Sequence, residues 1–369
     1  MSSKTDVIII GAGLMGSATA MNLARAGKNV LLLDKEVFPC HASAVNAGGV
    51  RQLNRAFEEI PLSAAAMQLW PELLKIVGSD CGFRPVGQVR IAPDDEALSV
   101  FERRVSEVRA LGFEHETLVG PDEIRRLIPA YSGSCKGGMV SGQDGFALPA
   151  LTLKYFYNAA RSAGAQFMGG CQVKDIIPRS NGFKVVTNQG QLSSEILVNC
   201  AGAWGGLVAE MAGDRLPVTP TGLAMMVTAR MPRFIDPVVG VHGRKLSFKQ
   251  MDNQTVVIGG ALRADLDMKQ EKGEIHIGQM RESAQTVTTH FECMRQAVVV
   301  RTWSGLEGMT DDKLPVIGPS RNTPGLFHVC GFSGHGFQLS PMVGRLSAAM
   351  VMGKDPELDL ACFSMDRFA

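Results

Sequence analysis

Gly11, Gly13 and Gly16 stand in G-x-G-x-x-G spacing within DVIIIGAGLMGSATAMNLARAGKNVLLLDKE, and Asp34 follows 18 residues after the last of them. Backbone N–H groups at a helix start hold a pyrophosphate only where no side chain intervenes. A carboxylate ending the next strand accepts hydrogen bonds from ribose hydroxyls and repels a 2′-phosphate. Ala12, Leu14 and Met15 complete the turn that would face such a ligand, and Lys35 continues the chain past Asp34. A second cluster comes late: GFSGHGFQLSP, residues 331–341, sets Gly331, Gly334 and Gly336 around His335. Each glycine inside a helix or strand costs about 1 kcal/mol relative to alanine, so this density implies that something closely approaches the backbone.

The elements that must carry these groups can be read around them. Val7–Ile10 is an apolar run, Leu14, Ala18, Met21 and Leu23 recur at helical spacing, Gly27 suits a helix end, and Val30–Leu33 is a second apolar strand. Together they form a βαβ unit that binds a dinucleotide, with NAD and FAD both open at this point. Helical patterns are predicted at 61–77, 95–111, 149–163 and 272–296. Short strands are predicted at 86–91, 173–177, 183–187, 195–200, 223–229 and 255–259. The fold class expected is α/β: a Rossmann-like nucleotide-binding domain from 1–80, 145–212 and 300–369, and a second, substrate domain from 81–144 and 213–299 on a mixed, largely antiparallel sheet.

Composition narrows the partners. The 369 residues are 45% hydrophobic and 20% charged with a formal net charge of +1, which gives no basic stripe for nucleic acid. No apolar run reaches the roughly 18 residues of a membrane span and no signal-peptide layout opens the chain, so a cytoplasmic protein without a transmembrane segment is expected. The eight cysteines are scattered, without the paired ligands of a zinc or iron–sulfur loop, and no metal site is expected in this chain.

Further motifs separate the two cofactors. CHASAVNAGGVRQLNR (40–55) places Ser43 and Asn46 before Gly48–Gly49 and Arg51. EILVNCAGAWGG (195–206) is a strand breaking into Ala201, Gly202 and Trp204, and RTWSGLEGMTDDKLPVIGPS (301–320), with Gly305 and Glu307, leads into the late glycine cluster. In this order, over nearly the whole chain, these segments resemble the D-amino-acid-oxidase superfamily of FAD-dependent amine oxidoreductases. That family includes glycine oxidase, sarcosine oxidase and the FAD-carrying small subunits of heteromeric imino-acid and opine dehydrogenases or oxidases. The last two motifs look most like the small FAD-carrying subunits of the octopine and nopaline oxidase type, and are similar to sarcosine oxidase beta subunits.

The resemblance implies FAD along Ser43, Asn46, Gly48, Gly49, Val173, Ala201, Gly202 and Trp204. It puts the loop Gly331, Gly334, His335, Gly336, Phe337 and Gln338 against the flavin ring. A helix N-terminus there favours the negative charge of a reduced flavin by roughly 0.3–1 kcal/mol. Arg51 matches the arginine that holds a substrate carboxylate, with a surface ion pair as the alternative. His335 either orients the loop or moves a proton. Glu307, His242 and Arg244 are polar pocket groups, each with a structural alternative.

Gly305 stands at the position of a cysteine tether, implying non-covalent FAD. Gln338 stands where a second carboxylate-binding lysine would be, and Val257 near the place of an oxygen-activating lysine, implying slow reaction with oxygen. No histidine lies between His115 and His242, which excludes a histidyl flavin there and leaves a non-covalent FMN at a subunit interface open. The reaction implied is hydride transfer to flavin N5 from the carbon beside the nitrogen of a secondary amine or an amino or imino acid (opine, sarcosine or proline-like), giving an imine that hydrolyses. A larger partner subunit and an iron–sulfur protein would accompany the chain. A non-catalytic FAD-binding subunit and an NAD-dependent dehydrogenase are the alternatives.

Overall fold

The computed structural model describes residues 5–38 and 40–369. Its first sheet starts from the two apolar runs of the N-terminal unit. Thr5–Ile10 and Val30–Leu33 pair in parallel, from Val7 opposite Val30 to Ile10 opposite Leu33. Continuous apolar strands of this kind suit a sheet covered on both faces. The strand order is Val316–Pro319, Leu326–Cys330, Gly190–Asn199, Thr5–Ile10, Val30–Leu33, Gln166–Met168, with Val173–Arg179 and Gly182–Thr187 as an antiparallel extension.

The helix Leu14–Arg25 lies against the C-terminal helix Gly336–Val351. Small residues allow this approach: a Cβ at Gly344 would overlap Ala18. The late glycine cluster is thereby brought beside the first.

The second sheet runs Val299–Met309, Thr219–Thr228, Val256–Asp267, Ser247–Gln250, Val238–Val241, Gln88–Ala92, Gly137–Ser141, Thr117–Val119, and Lys272–Ile275 pairs with Val256–Asp267. Only Val238–Val241 and Gln88–Ala92 pair in parallel, so the sheet is mixed and mostly antiparallel. It carries its own apolar core, including Val89, Ile91, Val239, Phe248, Ile258 and Phe291.

Three details differ from the sequence reading. Residues 300–309, assigned above to the nucleotide domain, belong to the second sheet, where Thr219 lies opposite Met309 and Thr228 opposite Val299. The helix expected at 272–296 begins only at Ile277, because 272–275 forms the return strand of a hairpin whose turn holds Glu271 at φ 53°. The helix expected at 61–77 is two helices, Ile60–Leu69 and Leu73–Val77, separated at Pro71, which has no N–H to give. No helix among the described residues is long and apolar enough to cross a membrane.

Candidate active site

Each glycine of the first motif has a separate spatial cause. Gly11 adopts φ +100°, and a Cβ there would overlap the carbonyl of Cys200 on the neighbouring strand. A Cβ at Gly16 would overlap the carbonyl of Gly11, so helix and strand pack only with glycine at this point. At Gly13 a Cβ would stand 2.9 Å from the Ser43 hydroxyl, inside the space that a phosphate needs.

The helix that follows has no side-chain cap on its Gly13 residue, and of its first N–H groups Leu14 reaches Ser43 Oγ at 2.9 Å. Asp34 accepts N–H groups of Ala12 at 2.8 Å and Glu36 at 2.9 Å, and burial raises its pKa. A helix start whose N-cap glycine offers no side chain, a glycine cradle and a carboxylate at the strand end fit the phosphates and ribose of a dinucleotide. A cavity of about 140 Å³ opens beside Asp34, between Val173, Ala201 and Gly202. Lys35, which borders it, is bonded to Glu36 and Glu271 and lies 4.0 Å from the ring centre of Trp204. Glu36, Cys40 and His41 bring three possible metal-ligand atoms within 4.8 Å at this rim, with Cys40 exposed.

A larger cavity of about 540 Å³ continues from Gly13 and Met15 to the second sheet. The late loop forms one part of its wall. Gly331 and Gly334 have φ of +74° and +86° and Ser333 has φ 50°, a left-handed stretch that turns the chain into the helix Gly336–Val351. That helix also starts without a side-chain cap, and Gly336, which packs against Met15 and Phe332, leaves its backbone open to the cavity. Gly49 and Phe337 line the cavity as well. Asn46 closes its own turn, donating to the carbonyls of Ala42 and Ser43 and accepting from Gly48 N–H, with Gly48 at φ +72°. A Cβ at Gly305 would overlap Val45, which leaves no room there for a tethering side chain.

Gln338 corrects the expectation that it faces the flavin. It is fully buried behind the helix, accepting from Arg55 and Ser63 at 3.1 Å each and donating to the Ser63 carbonyl at 2.9 Å. A buried amide must satisfy its donors and acceptors, and here all go to the helix Ile60–Leu69 and Arg55.

The charged side chains differ sharply in how they are satisfied. Arg51 lines the cavity, donates through Nη1 to the carbonyls of Leu53 (2.7 Å) and Asn54 (3.3 Å), and has no ion pair among the described residues. It is therefore not the surface ion pair of the alternative reading. Burial lowers its pKa. Glu307 also lines the cavity, its Oε1 is buried without a partner, and burial, opposed by Arg263, pushes its pKa up to about 7. His335 Nδ1 meets Glu59 Oε2 at 2.7 Å, and burial together with Arg55 pushes the ring down to about 4, so it is neutral at pH 7. With Nδ1–H given to the carboxylate, Nε2 is the ring's acceptor. His242 packs edge-on against Phe101 outside this lining, while Arg244 stands exposed at the rim.

Four groups escaped the sequence reading. Glu59, fully buried, holds His335; Arg55, also buried, bonds Gln338 and the His335 carbonyl. Arg90 lines the cavity from the second sheet. Lys249 is buried, donates to the Ala47 carbonyl, lies 5.4 Å from the Phe146 ring centre, and is pushed by burial down to about 7. Its cross-strand partner is Val257, so a lysine lies opposite that position on the adjacent strand. The only sequence signal was the i, i+4 spacing of Arg51, Arg55 and Glu59; a lysine in SFKQ gives none.

A dinucleotide cradle joined to a cavity with an open helix N-terminus and an acidic and basic lining defines a nucleotide-dependent oxidoreductase. The FAD dependent oxidoreductase family matches residues 6–350, and the chain belongs to that family, within the D-amino-acid-oxidase superfamily. It is similar to the hydrogen cyanide synthase subunit HcnC of Pseudomonas aeruginosa (26% identity, 100% of this chain and 97% of that one). It is also similar to glycine oxidase of Geobacillus kaustophilus (28%, 100% and 98%). The structure of L-proline dehydrogenase from P. horikoshii superposes with a TM-score of 0.92 at 24% identity, over 100% of this chain and 98% of that one, which shows the shared fold. The protein is an FAD-dependent amine or amino-acid oxidoreductase.

Proposed function

We propose that this enzyme oxidises the C–N bond of a secondary amine or an amino or imino acid that carries a carboxylate, with FAD bound non-covalently. FAD supplies a two-electron acceptor for the hydride on the carbon beside the nitrogen. The substrate ammonium gives up one N–H proton and that hydride to become an iminium, the protonated imine, which water converts to a carbonyl compound and an ammonium.

The protein's part is orientation and charge. Arg51 fixes the carboxylate with the side of its guanidinium fork not used by Leu53 and Asn54. Glu307 holds the substrate ammonium and takes its proton, and an acid near pKa 7 suits both states at neutral pH. Glu59 fixes His335, which sets the loop at the helix start. The observation that carries this reading is the pair of oppositely charged groups, Arg51 and Glu307, in one cavity, neither with an ionic partner among the described residues.

The resemblance to heteromeric oxidases, and a relative named as a synthase subunit, support a larger partner chain that passes electrons onward. The solvent-facing run Val298–Val300, which leads into the edge strand Val299–Met309 of the second sheet, offers a surface for one. The test is a spectrum of the purified protein and its acid supernatant, followed by dye reduction across sarcosine, proline, glycine and N-carboxyalkyl amino acids. Yellow colour released by acid and reduction by at least one amino acid are expected. Colour retained in the pellet overturns non-covalent binding, and failure with every amine overturns the catalytic reading.

A further inference from the structure

Arg90 and Gln88 open onto the cavity with nothing to hold. They alternate with Val89 and Ile91 on the strand Gln88–Ala92, so both project away from the apolar core of the second sheet. Neither side chain makes a hydrogen bond or ion pair with any described residue, and Arg90 Nε and Gln88 Oε1 are buried without partners. The carboxylates nearby are committed elsewhere. Glu116 is held by Arg104 at 2.7 and 2.8 Å and by the N–H of Asn54. Asp144 accepts the N–H groups of Gln52 and Leu53 and the Ser141 hydroxyl, each at 2.9 Å.

Arg51 is a second cavity guanidinium without an ion pair, and its repulsion adds to burial in lowering the pKa of Arg90. Charges withdrawn from solvent are ordinarily paired, so Arg51 and Arg90, both largely covered and without an ion pair among the described residues, call for anions from outside the chain. The phosphate cradle at Gly11–Leu14 belongs to the other sheet and has its own helix N-terminus, which leaves the groups on Gln88–Ala92 to the substrate.

We infer that Arg90, assisted by the Gln88 amide, binds a second carboxylate of the substrate, so that the enzyme selects amines or amino acids carrying two anionic arms. The inference rests on the preceding reading of Arg51 and Glu307, and adds a specificity-determining residue on a different element. Of the four arginines in the lining, Arg55 faces Glu59 and Arg244 is exposed at the rim, so Arg51, Arg90 and the Glu307 carboxylate are left to complement the charges of a diacid with a central ammonium.

The experiment uses the FAD-loaded protein and its Arg90→Gln, Arg90→Lys and Gln88→Leu variants, each checked for wild-type FAD content. Dye reduction is followed with sarcosine, which has one carboxylate, and with iminodiacetate and N-(2-carboxyethyl)glycine, which have two. Binding of the amine-free acids glutarate and butyrate is followed separately by calorimetry. Arg90→Gln is expected to lower kcat/KM for the preferred diacid by roughly 30-fold or more while leaving sarcosine within about threefold, and Arg90→Lys to recover part of the loss. Equal losses for diacid and monoacid, or none for the diacid, overturn the inference while leaving the parent reading in place. Should no amine be oxidised at all, the parent reading falls, and binding decides alone: glutarate preferred over butyrate in an Arg90-dependent way sustains the second anion site, and no such preference overturns it.

Discussion

His335 Nδ1 lies 2.7 Å from Glu59 Oε2, and the carboxylate that holds it is fully buried, with Arg55 Nη1 3.9 Å from the same oxygen. The pair fixes the residue at which the glycine loop becomes the helix Gly336–Val351. It also ties the stability of the site to pH. His335 titrates at about 4 in the fold against 6.5 ordinarily, so below 6.5 the unfolded chain binds the proton and the fold does not. The sign follows: His335 stabilisation is complete above about 6.5 and declines as pH falls toward 4, by about 3 kcal/mol at most. Glu59, whose pKa is lowered despite the burial that opposes it, acts in the same direction at lower pH, through its bond to His335 and its attraction to Arg55. Melting temperatures of wild type and His335→Gln between pH 4 and 7 should converge toward the acid end. Parallel curves would show that the ring titrates normally.

Glu307 gives a second pH dependence, in activity rather than in stability. Burial pushes its carboxyl up to about 7, so the ionised form that accepts the amine proton grows as pH rises through that value. The acid limb of kcat/KM should therefore bend near pH 7. Glu307→Gln keeps the shape and removes the charge, and should lower kcat/KM by roughly 10²- to 10⁴-fold with loss of that limb. A mutant with the same limb and reduced amplitude would assign the proton to another group.

Asp34→Ala tests the cradle. The carboxylate already accepts N–H groups of Ala12 and Glu36, so it shapes the turn as well as meeting a ribose. Loss of a charge-assisted hydrogen bond worth about 1.5–3 kcal/mol should weaken FAD roughly ten- to hundredfold. Equilibrium titration of the apoprotein with FAD measures this, and an unchanged dissociation constant would confine Asp34 to the turn.

What could be read from sequence is what is local in the chain. Gly11, Gly13 and Gly16 follow one strand and open one helix, so their spacing alone implies the cradle. Gly331 and Gly334 require a left-handed backbone, which composition signals directly. Gln338 was misread because its neighbours Ser63, Trp70 and Arg55 come from some 270 to 280 residues away and claim it from behind the helix. Arg90 and Lys249 sit on strands of the second sheet, and short mixed strands such as SFKQ do not announce which side meets the cavity, while Glu59 meets His335 across 276 residues of chain.

Lys249 illustrates the cost of such a position. A lysine buried with one carbonyl partner is pushed down to about 7, against 10.5 in the unfolded chain. The unfolded chain then holds more protons between those values, so stability attributable to this residue rises as pH goes from 7 to 10.5. Relative to Lys249→Met, the wild type should gain stability over that interval in chemical denaturation, and a constant difference would place the ammonium in contact with an unseen anion.

Arg51 carries the strongest expectation for catalysis. Its Nη1 is fixed by the carbonyls of Leu53 and Asn54, so the guanidinium is already oriented before substrate arrives, and no described carboxylate pairs with it. Pre-organisation of this kind lowers the entropy lost on binding and makes the fork selective for a planar carboxylate. Arg51→Ala leaves the substrate carboxylate unpaired in an enclosed site, where removing one partner of a buried charge pair typically costs about 2–5 kcal/mol, a loss of roughly 30- to 5,000-fold in kcat/KM. Arg51→Lys should restore only part, because an ammonium keeps the charge and loses the fork. FAD content must stay at the wild-type level, and a methyl ester of the best substrate must be nearly indifferent to the change. Equal loss toward acid and ester would move Arg51 from substrate binding to support of the loop that Leu53 and Asn54 form.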